Sequence, residues 1–258
     1  MIIALANILQ EVSNVFKNGK CLSYKTGWKE KKLKRKKVHN LFLEQVRSTI
    51  LKDLKKHQLK TNVNANYILG DSRIVTESLN EKFDLMITSP PYLNSRDYTD
   101  IYRLELWILG YISKFKSEKV LRKRALTSHV QIQLPKVEYP KGIKELEDAI
   151  SHLEGDSIES WNKNIPNMVR GYFKDMETIL SNLFINFNSG ARLYINVSNS
   201  SYFHFVIEVD IIIAKIAEQV GYNCKEIRIA RIIKTSNQQK KFINSEKMRE
   251  SVIVLECN

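Results

Sequence analysis

The run Phe83-Asp84-Leu85-Met86-Ile87-Thr88, closed by Ser89-Pro90-Pro91-Tyr92, constrains the fold more than any other part of this sequence. A short, nearly continuous apolar run reads as a strand buried in a parallel sheet. Two consecutive prolines stop it. Each fixes φ and removes a backbone N–H, so the chain must bend while nearby carbonyls stay free to accept hydrogen bonds. Upstream, Tyr67-Ile68-Leu69 is a second short apolar run, read as a strand ending in Gly70-Asp71, and Ile74 to Leu79 suits a brief helix. Strands joined by a helical crossover are the grammar of an α/β domain. In an open α/β sheet, a rigid bend at the carboxyl end of a strand is the general place for a site.

Around this centre the chain divides into four segments. Residues 1–60 read as a basic helical segment without a strand. The apolar opening Met1–Asn7 joins Ile8, Val12, Val15 and Phe16 in helical spacing up to Asn18-Gly19, and Leu41, Phe42, Val46, Ile50, Leu51 and Leu54 mark a second helix. Residues 61–112 hold the two apolar runs and a predicted helix from Tyr98 to Tyr111. Residues 113–170 are the least regular stretch, an insertion suited to contacting DNA or reading a target, or simply a helical excursion. Residues 171–258 give a helix at Tyr172–Phe184, a turn at Asn188-Ser189-Gly190 and a strand at Ala191–Val197. A helix at Phe203–Val220 closed by Gly221 follows, then an antiparallel pair at Cys224–Ile233 and Ser251–Leu255.

Several stretches together carry a resemblance. Tyr67-Ile68-Leu69-Gly70-Asp71-Ser72-Arg73, the run Phe83 to Tyr92 and Leu93-Asn94-Ser95-Arg96-Asp97-Tyr98 look like the third and fourth motifs of the amino-directed DNA methyltransferases. Tyr102–Trp107, Gly171–Met176, Tyr194–Ser200 and Arg249–Leu255 resemble a subgroup of the same enzymes, so the likeness spans roughly residues 64 to 256. It implies an S-adenosylmethionine-dependent transferase acting on the exocyclic N4 of cytosine in double-stranded DNA, within a prokaryotic restriction–modification system and so in the cytoplasm. Serine at the head of Ser-Pro-Pro-Tyr is more typical of cytosine-N4 enzymes. Methylation of adenine N6 or of an RNA base remains an alternative, as does a non-catalytic nucleic-acid-binding subunit.

The chemistry suits the motif. A base amino group offers two hydrogens, which the Ser89 side chain and the Pro90 carbonyl can accept, while Pro91 stiffens the bend. Tyr92 can stack on the base face, an interaction of about 1–3 kcal/mol, once the base has left the duplex. The resemblance places Asp71 near the cofactor adenine, with Gly70 and Ser72 beside it. Asn94, Arg96, Asp97 and Tyr98 are candidates for shaping the base pocket or ordering its loop.

The net charge of +13 favours a polyanionic partner. Lys119, Arg122, Lys123 and Arg124 form one candidate phosphate-contacting patch, and Lys34, Arg35, Lys36 and Lys37 lie in a second basic run that could equally be a solvated face. Three cysteines and five histidines are scattered without metal-like or disulfide-like spacing, which predicts no metal site and a reducing compartment. No run approaches bilayer-spanning length, and the apolar opening lacks the basic leader and cleavage site of a signal peptide.

One expected part is absent from these residues. The family wraps the methionine end of the cofactor in a glycine-rich first motif, because backbone must approach the ligand closely. The nine glycines here never fall in that arrangement. The expected fold is therefore an incomplete Rossmann-like methyltransferase sheet with N-terminal helices, resembling the carboxyl-terminal half of such an enzyme. A central strand left at an edge invites pairing, and the expected partner is a second subunit carrying the glycine-rich loop.

Overall fold

The computed structural model describes residues 1–18, 21–56, 64–155, 162–233, 243 and 245–258. In chain order these form α1 (Ile2–Val12), β1 (Val15–Asn18), β2 (Cys21–Tyr24), α2 (Arg35–Glu44), a π-helical turn at Gln45–Ile50 and α3 (Leu51–Lys56). Then come α4 (Ser72–Val75), β3 (Phe83–Thr88), α5 (Tyr98–Ile101), α6 (Arg103–Ile108), α7 (Phe115–Arg124), α8 (Lys144–Leu153) and α9 (Ile165–Phe184). The chain closes with β4 (Phe187–Ser198), β5 (Ser200–Tyr202), β6 (Phe205–Ile207), α10 (Val209–Val220), β7 (Asn223–Ile232) and β8 (Arg249–Glu256). Two compact units result. Met1–Tyr67 with Asp97–Arg122 make the first, and Ile68–Arg96 with Lys123–Asn258 make the second. These units cut across the four segments read from the sequence.

In the first unit, α1 buries Ala4, Ile8 and Leu9. It ends sooner than its apolar spacing predicts, because Val15 and Phe16 enter β1, which pairs antiparallel with β2. Gly19 and Lys20, between the two strands, lie outside the described residues. Lys25, just past the hairpin, returns its ammonium to the carbonyls of Gln10 (2.6 Å), Glu11 (3.0 Å) and Ser13 (2.9 Å). That satisfies acceptors left open at the carboxyl end of α1 and places a cation against its dipole.

The second unit is a mixed α/β body around a four-stranded sheet of order β3-β4-β8-β7. β3 runs parallel to β4, and β8 is antiparallel to both β4 and β7. One face is packed by α9 and α10. Leu193, Ile195 and Val197 of β4 and Ile253 and Leu255 of β8 meet Tyr172, Phe173 and Leu180 of α9 and Ile212, Ile213 and Ile216 of α10. Full burial of such side chains contributes about 1.5–3 kcal/mol each. Pro166 in the first turn of α9 suits a helix start, where its missing N–H costs nothing. Gly171 lets α9 approach Thr127, whose Cγ2 would lie 2.6 Å from an added Cβ.

Several sequence expectations need correction. Tyr67-Ile68-Leu69 forms no strand; Tyr67 and Leu69 are almost wholly exposed, with no paired backbone to shelter them. Among the described residues β3 lies at an edge of the sheet, and its side chains are less buried than a strand covered on both faces would be. Asn188-Ser189-Gly190 does not break the chain before β4. These residues lie within the strand, between Phe187 opposite Phe83 and Arg192 opposite Leu85, and Gly190 takes φ 80°. Phe203 does not start a helix. With φ 48° at Phe203 and 65° at His204, it turns a β5–β6 hairpin, and α10 begins only at Val209. The helix expected over Tyr98–Tyr111 is two short ones. The antiparallel pair of β7 and β8 is present as expected.

Candidate active site

β3 delivers Ser89 to Tyr92 at its carboxyl end, with Ser89 exposed, Pro90 buried and Tyr92 half-buried. The Tyr92 hydroxyl donates to Glu250 Oε1 at 2.6 Å, and Asn196 Nδ2 donates to both the Tyr92 oxygen and Glu250 Oε1 at 3.0 Å. Arg231 Nε donates to the other carboxylate oxygen of Glu250 at 2.5 Å. These partners come from β4, β8 and β7, so the tip of a loop is tied to three neighbouring strands. Burial pushes the Tyr92 phenol up, as does Glu250, while Ser89 and Asn196 oppose the rise. The Glu250 carboxyl is lowered to about 2, first by the Tyr92 hydrogen bond and then by Asn196 and Arg231. Leu93 is fully buried, and its carbonyl accepts from Tyr202 Oη at 3.1 Å.

Asp71 caps α4, accepting from the Arg73 amide at 3.1 Å. The Arg73 guanidinium also holds both Asp71 oxygens, at 2.9 and 2.6 Å, and reaches both oxygens of Asp175 on α9, at 3.2 and 3.1 Å. Asp175 in turn accepts from the Thr127 amide at 2.9 Å. The Arg73 hydrogen bond keeps the Asp71 carboxyl below its ordinary range. Gly70 has a structural reason of its own, since a Cβ there would lie 2.3 Å from Val75 Cγ2. Ser72 is exposed on the first turn of α4.

Asn94 Oδ1 accepts from the Arg96 amide at 3.1 Å, a side-chain turn that shapes the loop after Tyr92; Ser95 within it takes φ 57°. Arg96 is exposed. Asp97 and Tyr98 belong to the first unit. There Asp97 is buried and caps α5 through the Thr99 amide at 2.8 Å, while Tyr98 is exposed. Burial pushes the Asp97 carboxyl up, but hydrogen bonds from Thr99 and Arg122 outweigh it and leave the group below its usual range. Arg122 is held by carboxylates of its own unit. Its guanidinium is packed among Asp97, Asp100 (2.8 Å) and Glu118 (2.9 Å), where it joins helix to loop. Lys119, Lys123 and Arg124 are exposed, as are Lys34, Arg35, Lys36 and Lys37.

Comparison with known proteins bears on this arrangement. The chain is similar to type II methyltransferases. It is 28% identical to M.AvaI of Nostoc sp. over 193 residues, covering 70% of this chain and 40% of that protein. It is 29% identical to M.BsoBI of Geobacillus stearothermophilus over 232 residues, covering 81% of this chain and 46% of that protein. The chain thus spans less than half the length of the curated relatives it matches. A solved structure from Thermus thermophilus, described as a DNA modification methylase, aligns with 72% of this chain and 50% of its own at a TM-score of 0.34 and 16% identity. No protein-family model matches.

The residues present do not by themselves fit S-adenosylmethionine. Asp71 has both oxygens engaged by Arg73, and the nine glycines supply no tight glycine-rich cradle. Among the described residues, no group of three or more His, Cys, Asp or Glu could hold a metal ion, and no helix is long and apolar enough to cross a membrane. Sequence reasoning missed Glu250, Asn196 and Arg231 as neighbours of the motif. Their signal is a polar residue breaking an apolar strand, as in Ile195-Asn196-Val197 and at the head of Ser251–Leu255.

Proposed function

We propose that this chain is the base-recognising part of an S-adenosylmethionine-dependent DNA methyltransferase directed at the exocyclic N4 of cytosine, in a prokaryotic restriction–modification system. The observation that carries the reading is Ser89-Pro90-Pro91-Tyr92 at the carboxyl end of β3, with its tyrosine hydroxyl bound to Glu250 and Asn196. The Ser89 hydroxyl oxygen and the Pro90 carbonyl accept the two amino hydrogens of an everted base, and Tyr92 stacks on its face. Holding both hydrogens turns the nitrogen lone pair out of the base plane. S-adenosylmethionine, held by a polypeptide beyond these residues, would supply the methyl group to that nitrogen. Attack through nitrogen needs no cysteine.

A polypeptide beyond these residues, read as a second subunit, brings the glycine-rich loop. Support comes from the open edge of β3, from the exposure of Leu85 (55%) and Ile87 (75%), and from relatives more than twice as long as the segment they share. A parallel pair is ordinarily covered on both faces. Lys119, Lys123, Arg124 and the Lys34–Lys37 run supply phosphate contacts whose affinity falls steeply with salt.

The test is made in the native host. Nucleosides from its DNA are measured by mass spectrometry with the chromosomal gene intact, deleted, or carrying Tyr92→Ala or Cys224→Ala. Loss of N4-methylcytosine in the deletion and in Tyr92→Ala, with retention in Cys224→Ala, is the expected result. Loss of N6-methyladenine instead would overturn the choice of base, and unchanged modification in Tyr92→Ala would overturn the site. Calorimetric titration with S-adenosylmethionine then addresses the partner. Tight binding and full turnover by the isolated chain would overturn the split arrangement.

A further inference from the structure

The strongest unassigned feature is the carboxylate beneath Tyr92. Glu250 is the second residue of β8, opposite Ser198 of β4 on one side and Arg231 of β7 on the other. Both of its oxygens are engaged. Oε1 accepts from Tyr92 Oη (2.6 Å) and Asn196 Nδ2 (3.0 Å), and Oε2 accepts from Arg231 Nε (2.5 Å). Tyr92 stands on a loop, 158 positions away in sequence. A loop aromatic is free to turn about two side-chain torsions unless its far end is fixed, and a charge-assisted hydrogen bond fixes it better than a neutral one. The sheet itself has no need of this cluster, since an apolar residue at position 250 would serve its packing without any desolvation cost.

We infer that Glu250 is a positioning residue, which, bridged by Asn196, holds the Tyr92 hydroxyl and so sets the plane of the ring beside Ser89 and Pro90. This rests on the function proposed above. Glu250 does not touch the base. It acts through the tyrosine, so its effect must disappear when the hydroxyl is gone. Asn196 strengthens the hold by donating to both partners at once, and Arg231 keeps the carboxylate ionised and turned towards the sheet.

The experiment is a double-mutant cycle on the tagged protein purified from its host with whatever it associates with. Transfer of tritiated methyl is measured into DNA from the gene-deleted strain, which carries the unmodified target whatever its sequence. Tyr92→Phe and Glu250→Ala are each expected to lower the rate about tenfold to a hundredfold, the range set by one charge-assisted hydrogen bond. The double variant is expected to be no worse than Tyr92→Phe alone, because the two act as a unit. Glu250→Gln, which keeps an acceptor oxygen for Tyr92 but loses the charge and sets an amide against the Arg231 donor, is expected to recover part of the rate. Multiplying losses in the double variant, or a Gln variant as impaired as the Ala variant, would overturn the inference. If Glu250→Ala does not fold, Asn196→Ala replaces it in the same cycle, with a smaller loss that vanishes in the Tyr92→Phe background.

A second readout does not depend on turnover. With 13C-labelled tyrosine, the Tyr92 phenol of the purified chain is titrated by NMR, and Glu250→Ala is expected to lower its midpoint. An unshifted midpoint would overturn the hold even if the rates agree. A wild-type complex that transfers no methyl group would overturn the proposed function, and the titration would still decide whether Glu250 holds Tyr92.

Discussion

The two faces of the four-stranded sheet are built from the same strands and behave as different materials. Towards α9 and α10, Leu193, Ile195, Val197, Ile253 and Leu255 have no exposed surface, and Asp210 is equally enclosed. That aspartate accepts from Arg249 Nε and Ser251 Oγ, both at 2.8 Å, so even the polar group on this side is paired. On the opposite side stand Leu85 and Ile87, largely in solvent, and the polar cluster of Asn196 and Glu250 around the Tyr92 hydroxyl. Alternation along a strand assigns successive residues to the two faces. One face therefore carries the stability of the unit, and the other holds the polar cluster on which the proposed site rests.

This contrast is open to test, and the largest effect should come from the enclosed face. Asp210→Ala strips Arg249 and Ser251 of their buried acceptor, leaving Arg249 with Glu208 at 4.0 Å, and is expected to cost about 3–5 kcal/mol in urea unfolding. Ile195→Ala removes a fully buried side chain and should cost about 2–5 kcal/mol by the same measurement. Acid gives a more graded probe of the open face. The Glu250 carboxyl sits at about 2 in the fold against an ordinary 4.5, so the unfolded chain takes up its proton first. Its contribution is complete above about pH 4.5 and is lost as pH falls towards 2; a stability profile of Glu250→Gln should lack that component. Ile87→Ala is expected to cost under about 0.5 kcal/mol in the isolated chain. A cost approaching that of Ile195→Ala would mean that the two faces are not different after all.

The sequence made the enclosed face easier to read than the open one. The body of α9 and β8 followed from apolar periodicity because burial selects residue type, whereas β3 and β7 were read from strand-favouring residues although neither holds a buried one. The Ser-Pro-Pro-Tyr bend was legible because proline acts locally. Three things were not. Tyr67-Ile68-Leu69 has strand composition but no paired neighbour, and composition cannot report a missing partner. The β5–β6 turn puts phenylalanine and histidine at positive φ, where sequence rules look for glycine or asparagine. Arg122 looked like one more basic residue in a patch, yet tertiary contact with Asp97 and Asp100, added to its i,i+4 partner Glu118, separates it from exposed Lys123 and Arg124. Glu250 lay hidden for the same reason, joined to its tyrosine through space and not through sequence.

The two prolines after Ser89 carry one more consequence. Neither can donate a backbone hydrogen bond, so a ladder growing along the open side of β3 has nothing to continue on beyond Ser89. If the proposed second subunit docks a strand there, that strand is measured against a fixed end stop at Ser89. Pro90 and Pro91 would then act as a ruler for it, setting where its chain leaves the strand and turns.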